Sequence, residues 1–210
     1  MLTPVYSLAI TAEKRADEVK LSGSLAKLVE EDPQGHPKKV FATAPKYLNA
    51  DLGLRVVDVG ANVGTLTALA AGLVGPTGRV VAIEPHPNTA TNLRRTVSAN
   101  ALTNVVCLNV ACGAKPGSTR LTDEPRKDDN NRIAADGRGI TVRMTTLISV
   151  LRDLQIERVA LLKTDVEGFE VAVLQGLAGE FHRIDALYVE VIDAKLQDYG
   201  KCSADLISLL

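Results

Sequence analysis

From Arg55 onward the sequence repeats one texture: a short run of Val, Ile and Leu with little polar alternation, then a stretch with helical spacing, then another run. Strands that read as continuous apolar runs are buried on both faces, which requires helices packed on both sides of a parallel sheet. The runs fall at residues 55–59, 79–84, 105–110, 159–165 and 186–191, with helices at 63–73, 87–100 and 170–177 between them. The expectation is a doubly wound α/β fold with five parallel strands. Residues 1–52 carry Val19, Leu21, Leu25, Leu28 and Val29 at mixed spacing, a Pro/Gly break over 32–37 and a second short helical stretch before Asn49. They read as an N-terminal helical cap on a domain spanning 53–210, the two forming one compact domain.

Residues 113–150 interrupt the pattern with two alternating segments, 118–122 and 140–144, around the polar stretch EPRKDDNNRIAADGRG. This predicts an added hairpin whose long loop, 123–139, follows a strand on the side where α/β sheets bind ligands, making it a candidate substrate lid. A solvated insertion is the alternative.

Composition narrows the function. Lys plus Arg (24) nearly balances Asp plus Glu (25), so the basic field of a nucleic-acid binder is missing, and with no Trp there is little for single strands to stack on. Cys107, Cys112 and Cys202 are an odd number without CxxC spacing and only three His accompany them, which supports neither a disulfide framework nor a metal cluster. The N-terminus lacks a basic segment followed by an apolar core, and no run reaches the ~18 apolar residues of a membrane span. A reducing, cytoplasmic setting, no metal and no membrane span are expected.

In VVDVGANVGTLTALAAG a strand passes through a tight turn into a helix, with Asp58 at the strand end and Gly60 and Gly64 in the turn. Glycine there permits a sharp turn and lets a ligand approach the helix N-terminus. The middle glycine of a dinucleotide fingerprint is missing, which disfavours a nicotinamide oxidoreductase, and Thr65 follows Gly64 where an NTP-binding loop has Lys. Glu84, ending the second strand 20 residues beyond Gly64, can accept both ribose hydroxyls of an adenosine group. A strand-end turn acid before Pro85 is the plainer reading.

The runs DVGANVG, IEP, NVACGAKPG and LLKTDVEGFEVAVLQG, in this order over residues 56–191, resemble the FkbM family of S-adenosylmethionine-dependent methyltransferases. The resemblance implies an enzyme with a mostly parallel, Rossmann-like class I methyltransferase sheet that binds S-adenosyl-L-methionine. Asp58, Gly60, Asn62 and Gly64 would surround its methionine end, Glu84 its ribose, and Asn109 and Ala111 its adenine. Cys112 beside them reads as a packing residue, because methyl transfer from a sulfonium needs no covalent enzyme intermediate.

In LLKTDVEGFE the residues Lys163, Asp165 and Glu167 alternate, so an extended strand can present all three on one face at the carboxyl ends of the strands. A hydroxyl acceptor loses its proton as the methyl arrives, and a carboxylate within hydrogen-bond reach can take it; Asp165 is the first candidate, with Glu167 and Lys163 orienting the acceptor or each other. The competing reading has Asp165 capping the helix that begins near Gly168. Glu190 is a further strand-terminal acid, His182 another possible base, and His86 a flank of the adenosine.

Two departures from the family pattern stand out. Ile148 follows TTL where these proteins commonly have Asp, and the chain stops at KCSADLISLL, which resembles the helix before the final two-stranded hairpin of the sheet, leaving no residues for strands six and seven. ALYVEV would then be an open apolar edge, which points either to a shortened gene product or to a partner or second copy covering it. The reading with most support is an O-methyltransferase acting on a sugar, glycan or secondary metabolite, the acceptor class coming from the resemblance. An N-methyltransferase would show an N/D-P-P-aromatic run, which Asp165-Val166-Glu167-Gly168 is not. A binding protein that keeps the pocket without turnover is the alternative from another class.

Overall fold

The computed structural model describes residues 53–123 and 131–210, together with the backbone of two strands, β1 (Tyr6–Arg15) and β2 (Glu18–Ser22). From Arg55 the chain alternates strand and helix. It runs through β3 (Arg55–Val59), α1 (Thr65–Val74), β4 (Arg79–Ile83), α2 (Pro87–Ala99) and β5 (Val105–Leu108). After an insertion come α3 (Leu147–Asp153), β9 (Leu161–Thr164), α4 (Glu170–Gln175), β10 (Ala186–Val191), α5 (Asp193–Gln197) and α6 (Ser203–Ile207). The sheet order is β2-β1-β10-β9-β3-β4-β5, and the five strands from β10 to β5 are mutually parallel, as the apolar runs predict.

Burial on both faces follows from the period of two. Val56 and Val80 face one layer, with Ala70, Ala71 and Val74 of α1. Val57, Val81, Leu162 and Val189 face the other, with Leu147, Val150 and Leu151 of α3 and Val171 and Leu174 of α4. Sequence reasoning missed α3. Its signal is Thr146 before the apolar stretch LISVL, and its hydroxyl accepts from the Ser149 N–H at 3.2 Å. Ile148 is buried in this helix and its N–H donates to Gly176 O, so the departure from the family's Asp falls at a packing position.

The N-terminal expectation is corrected in part. Residues 6–15 and 18–22 are strands rather than helix: EVKLS alternates apolar and polar with period two, and the mixed spacing came from merging it with the later Leu25, Leu28 and Val29. Those three residues and the second helix before Asn49 lie outside the described residues. β1 pairs antiparallel with β10, from Tyr6↔Val191 to Thr11↔Ala186, and β2 pairs with β1. The edge expected to lie open on ALYVEV is therefore covered by the chain itself, in the place of a final antiparallel hairpin, and needs no second copy or partner.

The insertion forms the expected hairpin, β7 (Gly117–Leu121) against β8 (Ile140–Thr145), with the two-residue β6 (Ala111–Cys112) parallel to β8. Thr122 N donates to Arg132 O and Ala134 N to Arg120 O, carrying 131–134 back over the carboxyl ends of the strands.

Candidate active site

β3 and β9 lie side by side, but the chain proceeds from β3 toward β5 on one flank and from β9 to β10 on the other. Loops diverge at such a switch point and leave a crevice. A cleft opens at this point, at the carboxyl ends of the strands. Gly60, Asn62, Glu84, Ala111, Asp165 and Glu167 line it; Asp58, Gly64, Asn109 and Lys163 do not.

Gly60 has φ +75°, and a Cβ there would lie 1.8 Å from the Asp165 carbonyl oxygen. The space is filled by the neighbouring loop's backbone, not kept open for a ligand as the sequence suggested. At Gly64, φ +92°, a Cβ would meet Leu93 Cδ1 at 2.6 Å. The turn is fastened by Gly60 N and Ala61 N, which both donate to Ile83 O at 3.0 Å.

Glu84 bridges this turn and the next. Its Oε2 accepts from Asn62 N at 3.0 Å and its Oε1 from His86 N at 2.9 Å. A carboxylate offers about four acceptor positions, so each oxygen keeps one beyond these backbone bonds. Burial pushes the Glu84 carboxyl above its ordinary range, against those two N–H bonds. Asn109 supports the same loop by donating to Glu84 O and Pro85 O at 2.9 and 2.8 Å. His86 is buried, with Nε2 3.3 Å from Asp123 Oδ1, and is not on the cleft wall.

Behind the glycine turn lies a buried ion pair. In the β3–β9 register Asp58 stands opposite Lys163, and Lys163 Nζ lies 3.2 Å from Asp58 Oδ1 and 3.6 Å from Asp165 Oδ2 while donating to Gly60 O at 2.7 Å. Burial works against the ammonium, but Asp58 and Asp165 outweigh it and hold Lys163 above the usual lysine range. Asp58 also accepts from Thr67 Oγ1 of α1 at 2.6 Å. Lys163 thus fastens the glycine turn to the Asp165 loop rather than facing a ligand.

The expectation that Lys163, Asp165 and Glu167 share one face of an extended strand holds only to its first step. β9 ends at Thr164, and Glu167 sits at φ +59°, in the left-handed region. Asp165 reaches the cleft with its side chain 34% exposed, whereas Glu167 pairs with Lys195, which also lies 3.3 Å from Glu190 Oε2. Asp165 does not cap α4; Glu170 reaches back instead, its Oε1 accepting from Val166 N and Gly168 N at 3.1 Å each. Burial and the Asp165 charge, with smaller help from Glu167, raise the Glu190 carboxyl to about 7. Asp165, Glu167 and Glu190 bring carboxylate oxygens within 4.8 Å of one another, but Lys195 already pairs with two of the three.

His182 is exposed in the 3₁₀ turn Phe181–Arg183 before β10, at the far end of the sheet from the cleft. Cys112 lines the cleft but burial pushes its thiol up to about 12, consistent with packing. Sequence reasoning did not single out Asn131, Arg132, Ile133 or Phe169, which complete the wall. Tyr199 links two of them to the C-terminal helices: its hydroxyl donates to Ile133 O at 2.6 Å and its ring meets Phe169 edge-on at 5.2 Å. Arg132 pairs with Asp198 at 3.5 Å.

Comparison with known proteins decides the family, because the methyltransferase FkbM domain matches residues 58–204, more than half of the chain. The chain belongs to the FkbM methyltransferase domain family. This FkbM domain is 28% identical over 163 residues to Methyltransferase 1 of Beauveria bassiana, covering 67% of this chain and 65% of that protein. It is 24% identical over 160 residues to the hexuronic acid methyltransferase AglP of Haloferax volcanii, covering 72% of this chain and 64% of that one. Among solved structures, a methyltransferase FkbM from Methylobacillus flagellatus superposes with a TM-score of 0.48 at 18% identity, over 75% of this chain and 37% of that one. The chain thus spans about two thirds of the length of these curated relatives. A 32-residue stretch is also 72% identical to an elongation factor G-like protein of Synechocystis, over 5% of that protein, too short to carry a function across.

Proposed function

We propose that the chain is an S-adenosyl-L-methionine-dependent O-methyltransferase whose acceptor is a hydroxyl of a sugar, glycan or secondary metabolite. The observation that carries this is the cleft at the β3/β9 switch point, with a diol-ready carboxylate, Glu84, on one side and a solvent-reaching carboxylate, Asp165, on the other. Family membership supplies the reaction class, and the hexuronic acid methyltransferase relative supports a sugar.

The residues fit the cofactor: the acceptor positions left on Glu84 suit a ribose, and Asn62 and Ala111 border the same cavity. When bound, S-adenosyl-L-methionine supplies an electrophilic methyl on a sulfonium. Asp165 lies where it can accept the acceptor's proton as the oxygen–carbon bond forms. Lys163 holds Asp165 and Gly60 in fixed relation, which keeps acceptor and cofactor aligned, an orientation effect of several kcal/mol. Glu167 orients the acceptor from the same wall.

The test is calorimetric titration with S-adenosylhomocysteine, with NAD as comparison, followed by methyl-labelled S-adenosyl-L-methionine and a panel of hexuronates, glycosides and hydroxylated metabolites. Micromolar binding and a labelled, base-stable ether are expected. A folded protein that binds NAD but not S-adenosylhomocysteine would sink the proposal.

A further inference from the structure

A hydroxyl acceptor releases a proton that must leave Asp165 before the next turnover, and what lies behind Asp165 indicates where it goes. Glu190, at the carboxyl end of β10, has a carboxylate oxygen within 4.8 Å of those of Asp165 and Glu167, yet it does not line the cleft. Four carboxylates meet here, Asp58, Asp165, Glu167 and Glu190, and two ammonium groups pair with them, Lys163 with the first two and Lys195 with the last two. Formal charge leaves two carboxylates uncompensated in a mostly buried space, which is relieved when one takes up a proton. Asp58 is engaged by Thr67 and Lys163, and Glu167 is held by Lys195 on a left-handed residue. Glu170, which also feels the Asp165 charge, is held by the Val166 and Gly168 N–H groups, which leaves Glu190, with its side chain 22% exposed and Lys195 Nζ at 3.3 Å, as the acid behind Asp165.

We propose that Glu190 is a proton store acting through Asp165. This rests on the methyltransferase reading. As the acceptor oxygen forms its bond to the methyl carbon, the carbon–sulfur bond breaks and its electron pair stays on sulfur. The O–H electron pair stays on oxygen, and the proton goes to Asp165. From there it passes to Glu190, across a gap that one water or one rotamer step spans, and leaves to solvent when the product departs. Asp165 is thereby restored as an anion. Glu190 touches neither acceptor nor cofactor and is a positioning residue.

The ionisation of Glu190 supports the geometry, since burial and Asp165 raise it to about 7, with Glu167 adding and Lys195 opposing. On the other flank its register partner on β1 is Ser7, which carries no charge.

The experiment is a carbon-13 NMR titration of the full chain, labelled at glutamate side-chain carboxyls and saturated with S-adenosylhomocysteine, with Glu190→Gln to assign the resonance. A midpoint near 7 that falls in Asp165→Asn is expected. A midpoint in the ordinary glutamate range, or one unmoved by Asp165→Asn, overturns the proposal. With D-glucuronic acid and labelled S-adenosyl-L-methionine as probes, the rate should rise with pH through about 7. Glu190→Gln should lose that limb and at least tenfold in kcat at neutral pH, with S-adenosylhomocysteine affinity within twofold; an unchanged pH profile overturns it. Failure of S-adenosylhomocysteine to bind the native chain sinks the methyltransferase reading instead, so the two failures are distinct.

Discussion

On the proposed reading, replacing Glu84 by Ala removes the carboxylate that receives the cofactor's ribose. In the native chain its carboxylate takes backbone bonds from Asn62 N at 3.0 Å and His86 N at 2.9 Å, and the residue lines the cleft. A hydrogen bond to a charged acceptor contributes about 1.5–3 kcal/mol, so losing the ribose contact weakens S-adenosylhomocysteine binding by about one to two decades. Glu84→Gln separates the two roles: it keeps one acceptor but sets an NH₂ against a backbone N–H, so its effect on binding is intermediate. Native affinity also weakens as pH falls through the raised Glu84 ionisation, because the diol needs the anion, and Glu84→Ala loses that dependence. Calorimetry against pH, with circular dichroism to confirm folding, measures all three. A folded Glu84→Ala that binds with native affinity would refute the assignment of the ribose to this carboxylate.

Three further perturbations follow from the geometry. Gly60→Ala places a Cβ on the Asp165 carbonyl at a positive φ, so urea unfolding should register a loss of about 2–5 kcal/mol; a change under 0.5 kcal/mol would remove the backbone contact as the reason for this glycine. Tyr199→Phe deletes the hydroxyl bond to Ile133 O, costs about 1 kcal/mol and should speed amide exchange over residues 131–134 without altering S-adenosylhomocysteine binding; unchanged exchange would show that this bond does not restrain the segment. For Glu190 the folded ionisation lies above the unfolded one, so its stabilising contribution is complete below about 4.5 and is lost as pH rises through about 7. Glu190→Gln, uncharged throughout, should gain on the native chain by up to about 3 kcal/mol at pH 8 and not at pH 4.5, and chemical unfolding at the two pH values decides it.

The parallel core was legible because burial on both faces leaves a mark in each strand alone: RVVDV and ALYVEV occupy the predicted residues without a shift. β1 and β2 left no such mark, since pairing with β10 is a long-range choice of register and a short alternating run beside further leucines reads equally as helix. Within the site, Asp58, Gly60, Lys163, Asp165 and Glu84 announced themselves by type at strand ends, but the sequence could not say which face the ligand and which face the protein. Lys163 turned inward because Asp58 stands opposite it across β3 and β9, a fact of strand order. Tyr199 was invisible as a site residue, and Glu190 was legible only as one more strand-terminal acid, for the same reason, since their partners Ile133, Asp165 and Lys195 are fixed only once the sheet is assembled.

The two charged ties converge on one short turn. Glu84 receives Asn62 N on the proposed cofactor side, and Lys163 donates to Gly60 O while pairing with Asp165 on the proposed acceptor side. Displacing residues 60–62 would therefore disturb both halves of the cleft together, whereas changes at Tyr199 or Arg132 reach only the outer wall. On the proposed reading, a firmly tied turn between cofactor and acceptor suits a transfer whose barrier is lowered chiefly by alignment.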